Sequence, residues 1–182
     1  LMGTVNCTKA CWEIMRSQEY GRVVVTSSSS GLYGNFGQTN YGAAKLGVVG
    51  LMNTLVQEGA KYNIKVNALA PTAGTRMTEG LIAEKAFDLL TPETVTPAVL
   101  YLVSEDAPNR TILCAGAGAY SVSKIVETEG MWLSPEEQTP EGISAHWDSI
   151  SSPEGERVLN AGFEQSIKMA AKAAEGLGIK LD

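Results

Sequence analysis

Three side chain types in the run SSSSGLYGNFGQTNYGAAK, Ser27 to Lys45, are suited to moving a proton between them. Tyr41 and Lys45 are four residues apart, one turn of a helix, so an ammonium can lie beside a phenol. A free tyrosine ionises near pH 10, about three units above neutrality, and a fixed neighbouring cation favours the phenolate. The phenol then becomes a proton donor and acceptor usable near neutral pH. A hydroxyl from the serine loop can polarise the same substrate oxygen. Taken alone, a Tyr and a Lys at this spacing are weak evidence and more often describe an exposed surface pair, so the surrounding elements have to decide.

Those elements read as an α/β layer. Val5, Ala10, Trp12, Ile14 and Met15 give a broad apolar helical face from Leu1 to about Arg16, with Gly21 placed near the helix C-cap. RVVVTS follows as a β-branched run without alternation, the mark of a strand buried on both faces of a parallel sheet. A helix is predicted from about Thr39 to Lys61, with Gly42, Ala43, Ala44, Gly47 and Gly50 on a side that lets two backbones come close. IKVNALAP, Ile64 to Pro71, is a second strand ended by a proline that cannot extend a ladder. Strand, helix, strand in this order is a βαβ unit with a right-handed crossover, which implies an open parallel sheet covered by helices. Ligands of such sheets sit at the carboxyl ends of the strands, here the loops starting at Ser27 and Pro71.

Further along, EGLIAEKAFDLL reads as a possible short helix and TPETVTPAVLYLVS as a helix with Thr91 as its cap and Pro92 in the first turn. RTILCAG is a third strand. Beyond Gly118 the character changes: YSVSKIVETEGMWL alternates as a strand or hairpin, TPEGISAHWDSI opens with a capping-like Thr-Pro-Glu, and RVLNAGFEQSIKMAAKAAEGLG is an amphipathic helix ended by glycines. Ser151 to Gly155 reads as a flexible joint.

Composition narrows the class. With 44% hydrophobic and 19% charged residues the chain is ordinary for a globular protein, and no apolar run reaches the ~20 residues of a membrane helix. A formal charge of −6 with scattered Lys and Arg argues against nucleic acid or an anionic membrane as partner. Cys7, Cys11 and Cys114 form no metal or disulfide pattern and read as reduced, buried structural thiols. No secretory signal is visible, and a cytoplasmic setting is the expectation. The Asn-x-Thr triplets at Asn6 and Asn109 read as chance. His146, the single histidine, reads as a surface residue, so no His-based triad is expected. Gly31, Gly34 and Gly37 read as turn glycines, Ser27, Ser29 and Ser30 as loop formers and backbone hydrogen-bonders, and GAGA at Gly116 to Ala119 as unsuited to phosphate because it lacks a third glycine and no helix follows.

The segment GRVVVTSSSSGLYGNFGQTNYGAAKLGVVGL resembles the active-site half of the short-chain dehydrogenase/reductase family, whose pattern places a serine thirteen residues before the tyrosine of Tyr-x-x-x-Lys. Counting back from Tyr41 gives Ser28. Within the family, GLYGNFGQTNYGAAKLG and APTAGTRMT are similar to the (3R)-hydroxyacyl-CoA dehydrogenase units of peroxisomal multifunctional enzymes and their bacterial single-domain relatives.

The resemblance implies the C-terminal part of a doubly wound, Rossmann-type domain over residues 1–120, with a helical extension over 121–182. It implies a hydrogen bond from Ser28 to the substrate oxygen, proton exchange by Tyr41, and Lys45 on the nicotinamide ribose. Pro71, Thr72, Ala73, Gly74 and Thr75 stand where the family usually has Pro-Gly, with Thr75 matching the hydroxyl that meets the nicotinamide carboxamide. It further implies NAD, with NADP as the alternative, an acyl-CoA substrate, and a homodimer through the Tyr41 helix. The loop from Met77 to Leu90, with Leu81, Ile82, Phe87 and Leu89, is expected to cover the acyl chain.

No Gly-x-Gly-x-x-Gly turn is present, and by the same matching the asparagine of the family's catalytic set falls just before Leu1. The expectation is therefore a C-terminal part of a longer protein that does not bind a dinucleotide tightly by itself. An acyl-carrier-protein ketoreductase and a non-catalytic oligomerisation fragment are the alternative readings.

Overall fold

β1 (Gly21–Thr26) and β2 (Ile64–Pro71) run parallel with Thr26 beside Leu69. The computed structural model describes all residues except 77, 79, 81, 82 and 182. β3 (Ile112–Gly116) pairs parallel with β2, and β4 (Ala119–Ser123) pairs antiparallel with β3, so the sheet order follows the chain order. The predicted parallel sheet thus carries one antiparallel strand at its edge. Gly116 to Ala119, set aside as a phosphate loop, is the hairpin turn joining β3 to β4. Ala117 and Gly118 take φ of +51° and +75°, as a tight primed turn with right-handed strand twist requires.

Alternation along β2 builds both faces of the core. Ile64, Val66, Ala68 and Ala70 point to one side and are sealed by Met15 of α1 (Met2–Ser17) and by Val48, Val49, Met52, Leu55 and Val56 of α3 (Thr39–Gly59). Leu69 points to the other side with Leu113 and Ala115, and meets Val95, together with Ala98 and Leu102 of α5 (Thr96–Val103). Helices on both faces of a mostly parallel sheet are the doubly wound arrangement.

Asn67, fully buried, closes the loop before β3: Nδ2 donates to the Pro108 carbonyl at 2.8 Å and Oδ1 accepts from the Thr111 amide at 3.0 Å. Asn109 has its own structural duty, accepting from the Val66 amide at 2.9 Å.

Several local expectations are corrected. Gly21 does not cap α1; the chain turns at Glu19, φ +52°, and Gly21 opens β1. A Cβ there would come within 2.6 Å of the Met15 sulfur, so a larger residue would have to displace that side chain. Thr91 makes no side-chain cap: Pro92–Thr94 is a 3-10 turn and α5 starts later, at Thr96. α3 ends at Gly59, and a 3-10 turn carries the chain through Tyr62. Cys7 and Cys11 are exposed and Cys114 half-buried, all three as free thiols, so burial does not account for the first two.

The chain forms two compact units, Leu1–Ser123 and Lys124–Asp182. In the second, Thr139 accepts from the Gly142 amide at 3.0 Å and caps α6 (Pro140–Ala145), which α7 (Trp147–Ile150) follows. His146, between them, lies 3.2 Å from Glu137. Ser151–Gly155 belongs to this unit and leads to an antiparallel bridge between Glu127 and Arg157. α8 (Gly162–Leu177) ends on left-handed Gly178. Two lysines one turn apart on α8 meet two glutamates two apart on an extended segment, Lys168 with Glu127 and Lys172 with Glu129. The spacings match because four helical residues rise about 6.0 Å and two extended residues about 6.6 Å.

Candidate active site

The carboxyl end of β1 assigns a different task to each of three consecutive residues. Thr26 offers its main-chain oxygen to Lys45 Nζ at 2.9 Å. Ser27 is buried; its amide donates to the Leu69 carbonyl at 2.7 Å, and its Oγ donates to the Lys45 carbonyl at 2.8 Å. Ser28 is the N-cap of α2 (Ser29–Tyr33), in an extended conformation, with Oγ accepting from the Ser30 amide at 3.3 Å. Its hydroxyl is half-buried at the strand end, where the chain leaves the sheet.

α3 supplies the other two side chains. Tyr41 lies in its first turn with 43% of its surface exposed, and Lys45 lies one turn further along. Lys45 Nζ stands 5.6 Å from the centre of the Tyr41 ring. The fold therefore brings the three predicted residues to one sheet edge: Ser28 follows the two residues bonded to Lys45, and Tyr41 neighbours Lys45 on the helix.

α2 approaches α3 closely enough that Gly31 has no room for a side chain and Gly42 has little. A Cβ on Gly31 would sit 2.7 Å from the Lys45 Cβ and 2.9 Å from the Leu46 nitrogen, and one on Gly42 would sit 3.1 Å from the Ser30 oxygen. Gly31 is thus a contact glycine inside α2 and not a turn glycine. Gly34 and Gly37, with φ of +79° and +75°, do serve turns.

The loop after β2 leaves the same edge, since β2 lies beside β1 in parallel register. The Thr72 amide donates to Ala115 at 2.8 Å, the Gly74 amide to Leu90 at 2.6 Å, and the Thr75 amide to Thr78 Oγ1 at 2.8 Å. Thr72 and Thr75 are exposed, while Pro71, Ala73 and Gly74 are half-buried. Gly74 has a packing reason: a Cβ would meet the Phe87 carbonyl at 2.9 Å. Phe87, in α4 (Glu84–Leu89), is half-buried against this loop, and Leu89 is 68% exposed. Met77, Leu81 and Ile82 lie outside the described residues.

Ser27 is the backbone hydrogen-bonder expected from the sequence, but its partner, the Lys45 carbonyl, and the contact role of Gly31 were not foreseen. The signal for Ser27 was its place at the end of a doubly buried strand, where a polar side chain must find a partner. Among the described residues no group of three or more His, Cys, Asp or Glu side chains is placed to hold a metal ion, and no helix is long and apolar enough to cross a membrane.

Comparison with known proteins agrees with this fold. Residues 1–86 match the family model for short chain dehydrogenase. A short-chain type dehydrogenase/reductase of Mycobacterium tuberculosis is 46% identical over 165 residues, 90% of this chain and 57% of that protein. Mouse peroxisomal multifunctional enzyme type 2 is 45% identical over 153 residues, 82% of this chain and 21% of the enzyme. The solved structure of full-length peroxisomal multifunctional enzyme type 2 from Drosophila melanogaster superposes with a TM-score of 0.84 at 34% identity, covering 97% of this chain and 33% of that one. The chain thus spans 57% or less of the length of each of these relatives.

Proposed function

Since the chain belongs to the short-chain dehydrogenase family, we propose that it carries the proton-handling half of an oxidoreductase interconverting (3R)-3-hydroxyacyl-CoA and 3-ketoacyl-CoA with NAD. The observation that carries this reading is the placement of Lys45 Nζ 5.6 Å from the Tyr41 ring, at the strand end where Ser28 caps α2.

In the oxidative direction, Ser28 donates a hydrogen bond to the substrate oxygen and holds it against Tyr41. Tyr41, as phenolate, takes the hydroxyl proton as the C3 oxygen becomes a carbonyl. Lys45 places a positive charge 5.6 Å from the Tyr41 ring, next to the group that handles the proton. The nicotinamide supplies the acceptor for the hydride that leaves C3.

The residues present fit the nicotinamide end of such a cofactor. Lys45 is half-buried, with its ammonium at the sheet edge, and can exchange its Thr26 bond for the ribose hydroxyls. Thr72, Ala73, Gly74 and Thr75 leave the adjacent strand end, as a carboxamide partner requires. No Gly-x-Gly-x-x-Gly occurs in the sequence, so these residues form no pyrophosphate cradle, and the chain alone is expected to bind the dinucleotide weakly.

A second copy of the chain is the proposed partner. Between α1 and α3 lies a groove of about 310 Å³ lined by Val5, Trp12, Leu51 and Leu55, with Lys9 and Glu58 also on its walls. It includes the Tyr41 helix, and sedimentation equilibrium with Leu51→Glu tests it: wild type dimeric, variant monomeric.

The activity is tested on the protein that carries this sequence, with a (3R)-3-hydroxyacyl-CoA and NAD. Tyr41→Phe should lower turnover by about 10²–10⁴, the usual worth of positioned acid-base catalysis, while leaving the cofactor dissociation constant unchanged. Wild-type turnover retained by the variant sinks the mechanism. A preference for an acyl-carrier-protein thioester with NADPH replaces the substrate assignment.

A further inference from the structure

Ser27 reads in the sequence as a loop former and backbone hydrogen-bonder, and it has only 1% of its surface exposed. Its Oγ donates to the main-chain oxygen of Lys45 at 2.8 Å, across 18 residues of chain. The side chain of that same lysine returns to the residue before Ser27, with Nζ donating to the Thr26 oxygen at 2.9 Å. Two hydrogen bonds of opposite direction therefore join residues 26 and 27 to residue 45. Gly31 adds a third contact, its missing Cβ leaving room for the Lys45 backbone.

We infer that Ser27 is a positioning residue, whose hydroxyl sets the distance between the end of β1, carrying Ser28, and the turn of α3 carrying Tyr41 and Lys45. The physical case is one of redundancy. A lysine with four rotatable side-chain bonds is poorly located by its own head group, and an exposed ammonium–carbonyl bond competes with water. Anchoring the lysine's backbone to the residue next to its head-group acceptor removes the uncertainty that a rigid helix would otherwise transmit over its whole length. The Ser27 hydroxyl is suited to this because it is shielded from water and its own backbone is pinned to β2 through the Leu69 carbonyl at 2.7 Å. The neighbouring serines lack this geometry: Ser28 accepts from the Ser30 amide, and Ser29 is exposed in α2.

The role rests on reading Lys45 as part of the site, so the test uses a measurement that needs no turnover. Acylation of individual lysines by a limiting amine reagent, resolved by mass spectrometry, is compared in wild type, Ser27→Ala, Ser27→Cys and Ser27→Thr. Lys65 serves as the internal reference, since its Nζ is also held by backbone, donating to Ala107 at 2.7 Å. In the Ala and Cys variants Lys45 should label faster relative to Lys65 by about fivefold, the equilibrium factor of one ordinary hydrogen bond. The Thr variant, which keeps the hydroxyl, should return towards the wild-type ratio.

The Cys variant preserves volume, so it remains informative should the Ala variant fail to fold. A wild-type Lys45 to Lys65 ratio in a folded Ala or Cys variant overturns the inference, as does equal acceleration at every lysine, which marks general loosening. Absence of dehydrogenase activity in the wild-type protein, with the Lys45 response intact, sinks the proposed function and leaves the Ser27 role standing.

Discussion

Lys45 Nζ donates to the main-chain oxygen of Thr26 at 2.9 Å, so the ammonium at the candidate site is located by the backbone at the end of β1. A carbonyl cannot be removed by substitution, which makes the lysine the informative side to change. Lys45→Met keeps the stem and deletes the charge beside Tyr41. Turnover in the proposed reaction is expected to fall by about 10² or more, within the range of acid-base catalysis. Steady-state kinetics with circular dichroism to confirm folding checks this, and an unchanged kcat would remove Lys45 from the mechanism.

Gly31 tests how tightly α2 and α3 are matched. In Gly31→Ala the new Cβ meets backbone atoms of Lys45 and Leu46 at 2.9 Å, and backbone has no alternative rotamer to retreat to. Overpacking of this kind costs about 1–3 kcal/mol, read as a lower urea midpoint at unchanged slope. Alanine at Gly50, where nothing lies within 4 Å, is the control and should be neutral or mildly stabilising.

Asn67 is the buried polar side chain on which the loop before β3 depends. Asn67→Leu leaves the Pro108 carbonyl and the Thr111 amide without their partner. Each orphaned group costs about 1–3 kcal/mol, so equilibrium unfolding should show one of the larger single-site losses in the first unit. A loss below that for one group would mean that water replaces the amide.

The second unit should be acid-sensitive. Hydrogen bonds from Lys168 and then Gln165 hold Glu127 below the usual carboxylate range, and Lys172 does the same for Glu129. A depressed carboxyl favours the folded state above its unfolded pKa, about 4.3, and that contribution disappears as pH falls through the lower folded value. α8 helicity, followed by isotope-edited infrared spectroscopy on a chain with 13C-labelled carbonyls in α8, should therefore melt earlier below about pH 4 than at neutrality. Glu127→Gln should melt earlier at neutral pH and show a flatter dependence in acid; parallel curves for the two proteins would count against the ion pairs.

Much of the site was legible without coordinates because its signals are local. The spacing of Tyr41 and Lys45 is one helical turn wherever the helix goes, the unbroken run Val23–Val25 announces a buried parallel strand, and Ile64–Pro71 announces a second, mainly apolar strand ended by its proline. The capping glycine of α8 and the Thr139 cap are local for the same reason. Gly31 was misread because nothing in its neighbours' identities tells a turn glycine from one that yields space to a distant backbone.

The sequence by itself determined the chemistry on offer, a serine hydroxyl, a phenol and an ammonium, and the strand–helix–strand order that implies a parallel sheet covered by helices. Tertiary structure decided which serine meets which residue. Ser27 and Ser28 are chemically identical and adjacent, and they differ only because successive residues at a strand end point to opposite sides. One enters the buried seam against α3 and bonds Lys45; the other caps α2 with its hydroxyl half-buried at the sheet edge. That division depends on where α3 returns to the sheet, a contact between residues 18 apart in the chain that no local pattern encodes.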